Sequence, residues 1–398
     1  MNQPPYPVVR LKPKLDSSAI RYGAPWVFAN ELVTDRRTRA LDPGAIAVLE
    51  DSDRRPIGVV TVNNNSKIIG RILDRNPAAV IDEAWLTHKL TQAAAMRDRL
   101  FSKPFYRLIH AEADGLPGVI IDRFGDIAVI QPNAAWAEMM MDQFIAALQT
   151  IGIKSVVKSG TGRARKLEGL VEEMTVPLGS VTAKVPVAMN GATYMADLIG
   201  GQKTGIFYDQ RPNHAFAAGL SKDVRVLDVF SHVGGFSLAA LANGAKSALA
   251  VDGSTAALAL AQEGAEASGV ADRFETRCSD AFDALTALAA EGQEFEVVIC
   301  DPPAFAPNKK AAEAGLRAYE KVARLATALV ADGGYLGLCS CSHAVDLTKF
   351  RMACSRGIGR AGGRAQLIHT GYAGADHPMH PQLAESGYLK SLFYRMIS

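Results

Sequence analysis

The sequence carries almost no net charge: 43 basic residues against 41 acidic ones leave +2 over 398 residues. Bulk charge therefore names no partner. No run approaches the ~18 consecutive apolar residues of a membrane-spanning helix, so a membrane is not expected as a partner. The opening "MNQPPYPVVRLKPK" has neither an apolar signal core nor an Arg/Ser-rich amphipathic leader, and a cytoplasmic location is the expectation. Cysteine is scarce, five in all and late in the chain, which excludes a disulfide framework. There is no internal repeat, no low-complexity linker and no Walker-type lysine loop, and the glycines of "LDVFSHVGGFS" do not form a G-x-G-x-x-G string.

What is present is the 48% hydrophobic and 21% charged composition of a soluble globular protein, long enough for two or three domains. Residues 1–75 read as a small β module: "GAIAVLED", "PIGVVTVN" and "KIIGRILD" alternate or run apolar between turn signals. "DEAWLTHKLTQAAAMRDRLF" has helical spacing, with Trp85, Leu86, Leu90, Ala94 and Leu100 on one apolar stripe. Strand-like "GVIIDRFGDIAVIQ" and "SVVKSG" around a helix "AEMMMDQFIAALQTIG" then make a middle α+β unit over 76–185. The basic clusters "RLKPK", "TDRRTRAL" and "KSGTGRARK" are either phosphate contacts or solvated surface.

From Val224 onward short apolar strands alternate with helical stretches, which predicts an α/β, doubly wound, mostly parallel sheet. Ligands of such sheets bind at the carboxyl ends of the strands. The first strand runs into "LDVFSHVGGFS", where Gly234 and Gly235 permit close backbone approach to a ligand and a helix N-terminus follows. Asp252 ends the second strand, 24 residues beyond Asp228, about where an acidic group accepts from ribose hydroxyls. Asp280 stands at the next strand end, and "CDPPAF" places Asp301 before two prolines that stiffen the turn. Carboxylates at successive strand ends without a lysine loop suit an adenosine ligand lacking polyphosphate. S-adenosylmethionine fits better than a nucleoside triphosphate, with NAD as the alternative.

"GGYLGLCSCSHAV" (Gly333 to Val345) is half of a metal site, a redox pair, an inert structural pair, or a nucleophile with a bystander. C-x-C lacks the C-x₂₋₄-C spacing of a zinc knuckle and no second cysteine pair exists, so no metal is expected. Cys339 falls within a buried strand, where free cysteine commonly packs. Cys341 falls where strand gives way to helix, and a thiol near a helix N-terminus ionises more readily, which favours Cys341 as nucleophile.

In order along the chain, "APWVFANELV", "HAEADGLPGVIIDRFGD", "RKLEGL", "GGQKTGIFYDQRPN", "DVFSHVGGF", "DPPAF", "SCS" and "DHP…YLK" resemble the RlmI-like ribosomal RNA large-subunit methyltransferases, over nearly the whole chain. The resemblance implies an N-terminal PUA domain, a middle α+β domain that positions RNA, and a Rossmann-like class I methyltransferase domain over 186–398. It implies S-adenosylmethionine as cofactor, 23S ribosomal RNA as partner, 5-methylcytosine as product and a homodimer. By motif position Asp228, Phe230 and Gly234 would lie along the methionine part of the cofactor, Asp252 on the ribose and Asp280 on the adenine amine. Phe207, Asp209, Gln210 and Arg211 would flank it, Cys341 would be the nucleophile, and Asp301 would hold the base edge.

The chain departs from the family pattern in three places. His232 and Val233 replace a Tyr-Thr-like pair before the two glycines, "KSGTGRARK" replaces an Arg-Ser-Asp-like string, and "DPPAF" lacks the Pro-Cys of other cytosine-C5 RNA methyltransferases. Two further readings keep the same residues: methylation of a base nitrogen with Cys341 idle, and a non-catalytic RNA-binding ribosome assembly factor.

Overall fold

The computed structural model describes residues 6–182, 184–201 and 205–397. Gln202, Lys203 and Thr204 of the "GGQKTGIFYDQRPN" string lie outside the described residues. The chain forms two compact units, one of residues 1–182 with 378–384, the other of 183–377 with 385–398.

The first unit contains two five-stranded sheets. One runs in the order Val8–Arg10, Ala45–Glu50, Pro56–Val62, Gly70–Asp74, Trp26–Val27, over a core that includes Val9, Leu11, Val27, Leu49 and Val60. The three alternating segments read from the sequence supply its central strands. The other runs Glu173–Leu178, Ser155–Gly160, Ile127–Pro132, Val119–Phe124, Phe105–His110.

The helix Glu83–Leu100 starts where the Asp82 carboxylate accepts from Trp85 N at 2.9 Å. Leu86, Leu90 and Ala94 are buried as the stripe predicts, but Leu100, its last residue, is 53% exposed. Arg97 is buried instead, forked onto both oxygens of Asp114 at 2.7 Å. "AEMMMDQFIAALQTIG" is two helices, Ala135–Met139 and Met141–Thr150, interrupted where Met140 leaves helical backbone at φ −103°, ψ 19°.

The second unit opens with a hairpin, Lys184–Met189 and Ala192–Asp197, whose two-residue turn Asn190-Gly191 has φ of 52° and 82°. Positive φ at both turn residues matches the twist of paired strands. The main sheet has seven strands in the spatial order Phe274–Cys278, Ser247–Asp252, Arg225–Val229, Phe295–Cys300, Val330–Ser340, Lys390–Ile397, Arg364–Gly371. All are parallel except Lys390–Ile397, which inserts antiparallel between the last two. Leu227, Val229, Val298 and Leu338 face a core shared with the helices Ala281–Ala290, Ala312–Thr327 and Leu347–Arg360. Side chains alternate along a strand. Asp228 therefore points to the opposite face, where its Oδ2 accepts from Ser237 N of the helix Gly235–Ala242 at 2.9 Å. Chain order reverses between Arg225–Val229 and Phe295–Cys300, which opens a crevice at their carboxyl ends.

Candidate active site

Ladder bonds continue past the strand ends and fix the loops that line this crevice. Asp301 N donates to Val229 O at 3.1 Å, Ser231 N to Val251 O at 3.0 Å, and Ser279 N to Asp252 O at 3.0 Å. The loop after the first strand winds through positive φ at alternate residues: Phe230 at 64°, His232 at 50° and Gly234 at 81°. Such backbone is costly for Phe and His, and it persists only where the surroundings hold it. Here the Asp252 carboxylate does so, with Oδ2 accepting from His232 N and Oδ1 from Ser254 N, both at 2.8 Å. Asp280 Oδ1 caps the next helix through Phe282 N at 2.8 Å and Asp283 N at 3.2 Å. Gly235 is required by a close approach, because a Cβ there would stand 2.6 Å from His214 Nε2.

The loops enclose a cleft of about 720 Å³ whose charge is one-sided. Asp197, Asp209, Asp252, Asp280 and Asp301 line it, and among the described residues no lysine or arginine does. His214 adds no positive charge, because burial, reinforced by the nearby Arg211, pushes its imidazole down to about 3. These carboxylates favour a cationic ligand over a polyphosphate. A sulfonium cofactor carrying an adenosine matches this donor set.

Asp228 sits behind the cleft, fully buried, and burial with the added negative charge of Asp252 pushes its carboxyl up to about 6. A carboxyl raised above its unfolded value of ~3.9 binds its proton more tightly when folded, so its ionisation weakens the fold as pH rises through 4 to 6. Asp228→Asn keeps an acceptor for Ser237 N and removes that cost. At pH 8 the ligand-free variant should be the more stable by an amount of the order of 1–3 kcal/mol, the gain fading below pH 6 and absent near pH 4. Thermal melts across that range test this, and a pH-independent difference would contradict it.

The strand Val330–Ser340 delivers "SCS" to the same edge. Ser340 and Ser342 turn away from the cleft and share Tyr319: Ser340 Oγ donates to its hydroxyl at 2.9 Å, and Ser342 Oγ meets it at 2.8 Å. Ser342 Oγ also accepts from Ala306 N at 3.0 Å, which ties the strand end to the loop after Asp301. Cys341, between them, is half-buried and lines the cleft, with Sγ 4.0 Å from Pro302 O. Cys339 is 1% exposed inside the sheet, where burial raises its thiol well above the usual range. The helix after Cys341 begins only at Leu347, capped by Asp346, so its N-terminus is not at the thiol.

Residues 9–75 match the PUA-like domain family, and residues 178–359 match the S-adenosylmethionine-dependent methyltransferase family. Ribosomal RNA large subunit methyltransferase I of Salmonella gallinarum is 33% identical over 99% of this chain and 98% of its own length. The chain belongs to the ribosomal RNA large subunit methyltransferase I family. The Cronobacter sakazakii member is 32% identical over 92% of this chain and 93% of its own length. Among solved structures, an S-adenosylmethionine-dependent methyltransferase from Streptococcus mutans aligns with TM-score 0.79 at 18% identity, over 98% of this chain and 100% of that one. A methyltransferase complexed with S-adenosylhomocysteine aligns with TM-score 0.80 at 19% identity over the same shares. The fold is a PUA-like domain with a C-terminal methyltransferase domain, and S-adenosylmethionine is the cofactor of this methyltransferase family.

In this family member the cleft brings together Phe207, Asp209, Gln210 and Phe230 with Asp252, Asp280, Asp301 and Cys341. Arg211, Asp228 and Gly234 are not among its lining residues. The Arg211 guanidinium lies over the Tyr208 ring at 5.3 Å, and Gly234 precedes the helix behind the loop. Sequence reasoning missed Asp197, His214 and Tyr388. The Tyr388 hydroxyl donates to Asp209 Oδ2 at 2.6 Å, and "YLK" was the only sequence signal near it.

Proposed function

We propose that this chain forms 5-methylcytosine in 23S ribosomal RNA, with Cys341 adding to carbon 6 of the base. The observation that carries the proposal is a half-buried thiol opening onto the same acidic cleft as Asp252, Asp280 and Asp301. The relatives' name, ribosomal RNA large subunit methyltransferase I, supports the RNA substrate. With it go a cytoplasmic location and a homodimer.

Asp252 would take the ribose hydroxyls and Asp280 the adenine amine, each through the oxygen capacity left by its backbone bonds. Phe230 and Gly234 would lie along the methionine part, with the Asp228 charge behind them. Phe207, Asp209 and Gln210 would flank the cofactor, and Arg211 would brace that segment from below. When bound, S-adenosylmethionine supplies an electrophilic methyl group.

Carbon 5 of cytosine is a poor nucleophile. Addition of the Cys341 thiolate to carbon 6 converts the ring to an enamine-like species whose electron density sits on carbon 5. Asp301 would bind the base edge at ring nitrogen 3 and favour its protonation as charge develops. Once carbon 5 carries the methyl group, its proton passes to water, the C–H electron pair restores the ring double bond, and the carbon 6–sulfur bond breaks to release the Cys341 thiolate. The base must be unpaired or flipped, and the N-terminal unit would hold the RNA through phosphate and shape contacts.

The test is methyl transfer from labelled S-adenosylmethionine to unmodified 23S ribosomal RNA, with the product nucleoside identified. 5-Methylcytosine is the expected product. A different methylated base would overturn the cysteine chemistry, and RNA binding without transfer would favour an assembly factor.

A further inference from the structure

Lys390 is the least expected side chain near the cleft. It starts the inserted strand Lys390–Ile397, pairs in register with Ser340, and is 5% exposed. Its Nζ donates to Ser342 O and Val345 O, both at 2.7 Å, and so closes the turn that follows Cys341. Among the described residues no carboxylate is ion-paired with it. Two carbonyls satisfy donors but do not neutralise a charge, and a buried ammonium without a counter-ion is costly. Burial accordingly lowers the Lys390 ammonium from its ordinary range, while Cys341 and Asp346 act in the opposite direction.

We propose that Lys390 is the buried counter-charge of Cys341, holding the nucleophile as a thiolate within the cleft. The inference rests on the reading of Cys341 as the nucleophile and adds the source of its activation. The helix N-terminus that would otherwise supply positive potential lies at Leu347, beyond the turn that Lys390 closes. The ionisation is simple: the S–H bond breaks, the proton goes to water, the electron pair stays on Sγ, and Lys390 keeps its three protons. Lys390 is a positioning residue, acting on the base only through Cys341.

The other groups around the thiol do not take this role. Asp301, from the neighbouring strand end, opposes a second negative charge. Tyr319, from the helix Ala312–Thr327, is bound to Ser340 and Ser342. Asp346 caps the next helix, His343 is exposed, and Cys339 is buried within the sheet.

The test is the pH dependence of iodoacetamide alkylation at Cys341 in the full chain, read on the Cys341 peptide by mass spectrometry. In the wild type the midpoint should fall below the ~8.5 of an ordinary thiol. Lys390→Met and Lys390→Gln should each raise it by about one unit or more, which slows alkylation near neutrality about tenfold. The rising limb of the methyl-transfer pH profile should move the same way. Lys390→Gln keeps a neutral N–H donor, one bond shorter, on the same side of the turn, so a purely structural role would be restored at least in part by Gln while the charge effect would not.

An unchanged midpoint in either folded variant overturns the proposal. So does a wild-type midpoint at or above the ordinary value, which is decisive even where both variants misfold. Methyl transfer retained by Cys341→Ala would instead sink the nucleophile assignment, and with it the catalytic purpose of the pair, whatever the titration shows.

Discussion

Cys341→Ala should lose methyl transfer to cytosine by at least about 10⁴-fold while binding S-adenosylmethionine with little change. The size of the effect follows from what the thiol supplies in the proposed reaction. Without addition at carbon 6 there is no enamine, and orientation alone leaves carbon 5 unreactive. Cys341 is half-buried, its Sγ 4.0 Å from Pro302 O, so truncation removes little packing and stability should move by less than about 1 kcal/mol. Cys339→Ala should behave in the opposite sense. Cys339 is 1% exposed within the sheet, so removing its sulfur leaves a small void that costs roughly 1 kcal/mol and lowers the melting temperature, with kcat largely kept. Single-turnover transfer, cofactor titration calorimetry and thermal melts on the two variants separate nucleophile from bystander. Measurable turnover by folded Cys341→Ala would remove the covalent mechanism.

What the sequence made legible is what parallel strands write in chain order. Each strand of the doubly wound sheet ends on one edge, so the residue after each apolar run can be assigned to that edge from spacing alone. Asp252, Asp280, Asp301 and Cys341 were found this way, and all four line the cleft. Features that depend on non-local pairing were not legible. The strand Lys390–Ile397 inserts between Val330–Ser340 and Arg364–Gly371, out of chain order, so Lys390 reaches the turn after Cys341 from an element sequence reasoning did not place. Asp197 arrives from a hairpin, and Tyr388 from the stretch before the last strand. Arg211 is absent from the cleft lining for a local reason: its neighbours Asp209 and Gln210 line the cleft, but Arg211 begins a helix and its guanidinium lies over Tyr208. In the N-terminal unit, apolar periodicity placed Leu100 in the core and left Arg97 out. The bidentate bond to Asp114 that reverses this joins residues in separate elements and has no periodic signature.

Asp301→Asn should reduce methyl transfer by about 10² to 10³-fold, a loss of the order of 3–4 kcal/mol in transition-state stabilisation. The substitution is close to isosteric, and the backbone that carries it is held independently of the side chain. Asp301 N bonds to Val229 O at 3.1 Å, and Pro302 and Pro303 fix the chain beyond it. A loss of rate therefore reports the missing charge rather than a moved loop. The direction of the effect is informative, because removing a negative charge from the cleft that Cys341 shares should make the thiol ionise more readily. On nucleophile supply alone Asp301→Asn would be faster. A slower variant with a more reactive Cys341 means that the carboxylate acts on the base, where it favours the protonated ring nitrogen as carbon 6 is attacked. An RNA carrying 5-fluorocytosine can show this directly, since its carbon 5 substituent cannot leave as a proton and the adduct accumulates. Wild type should form the adduct in a single turnover, Cys341→Ala should form none, and Asp301→Asn should form it slowly but completely. Adduct formation at the wild-type rate in Asp301→Asn would move the carboxylate's role to a later step, the release of the carbon 5 proton.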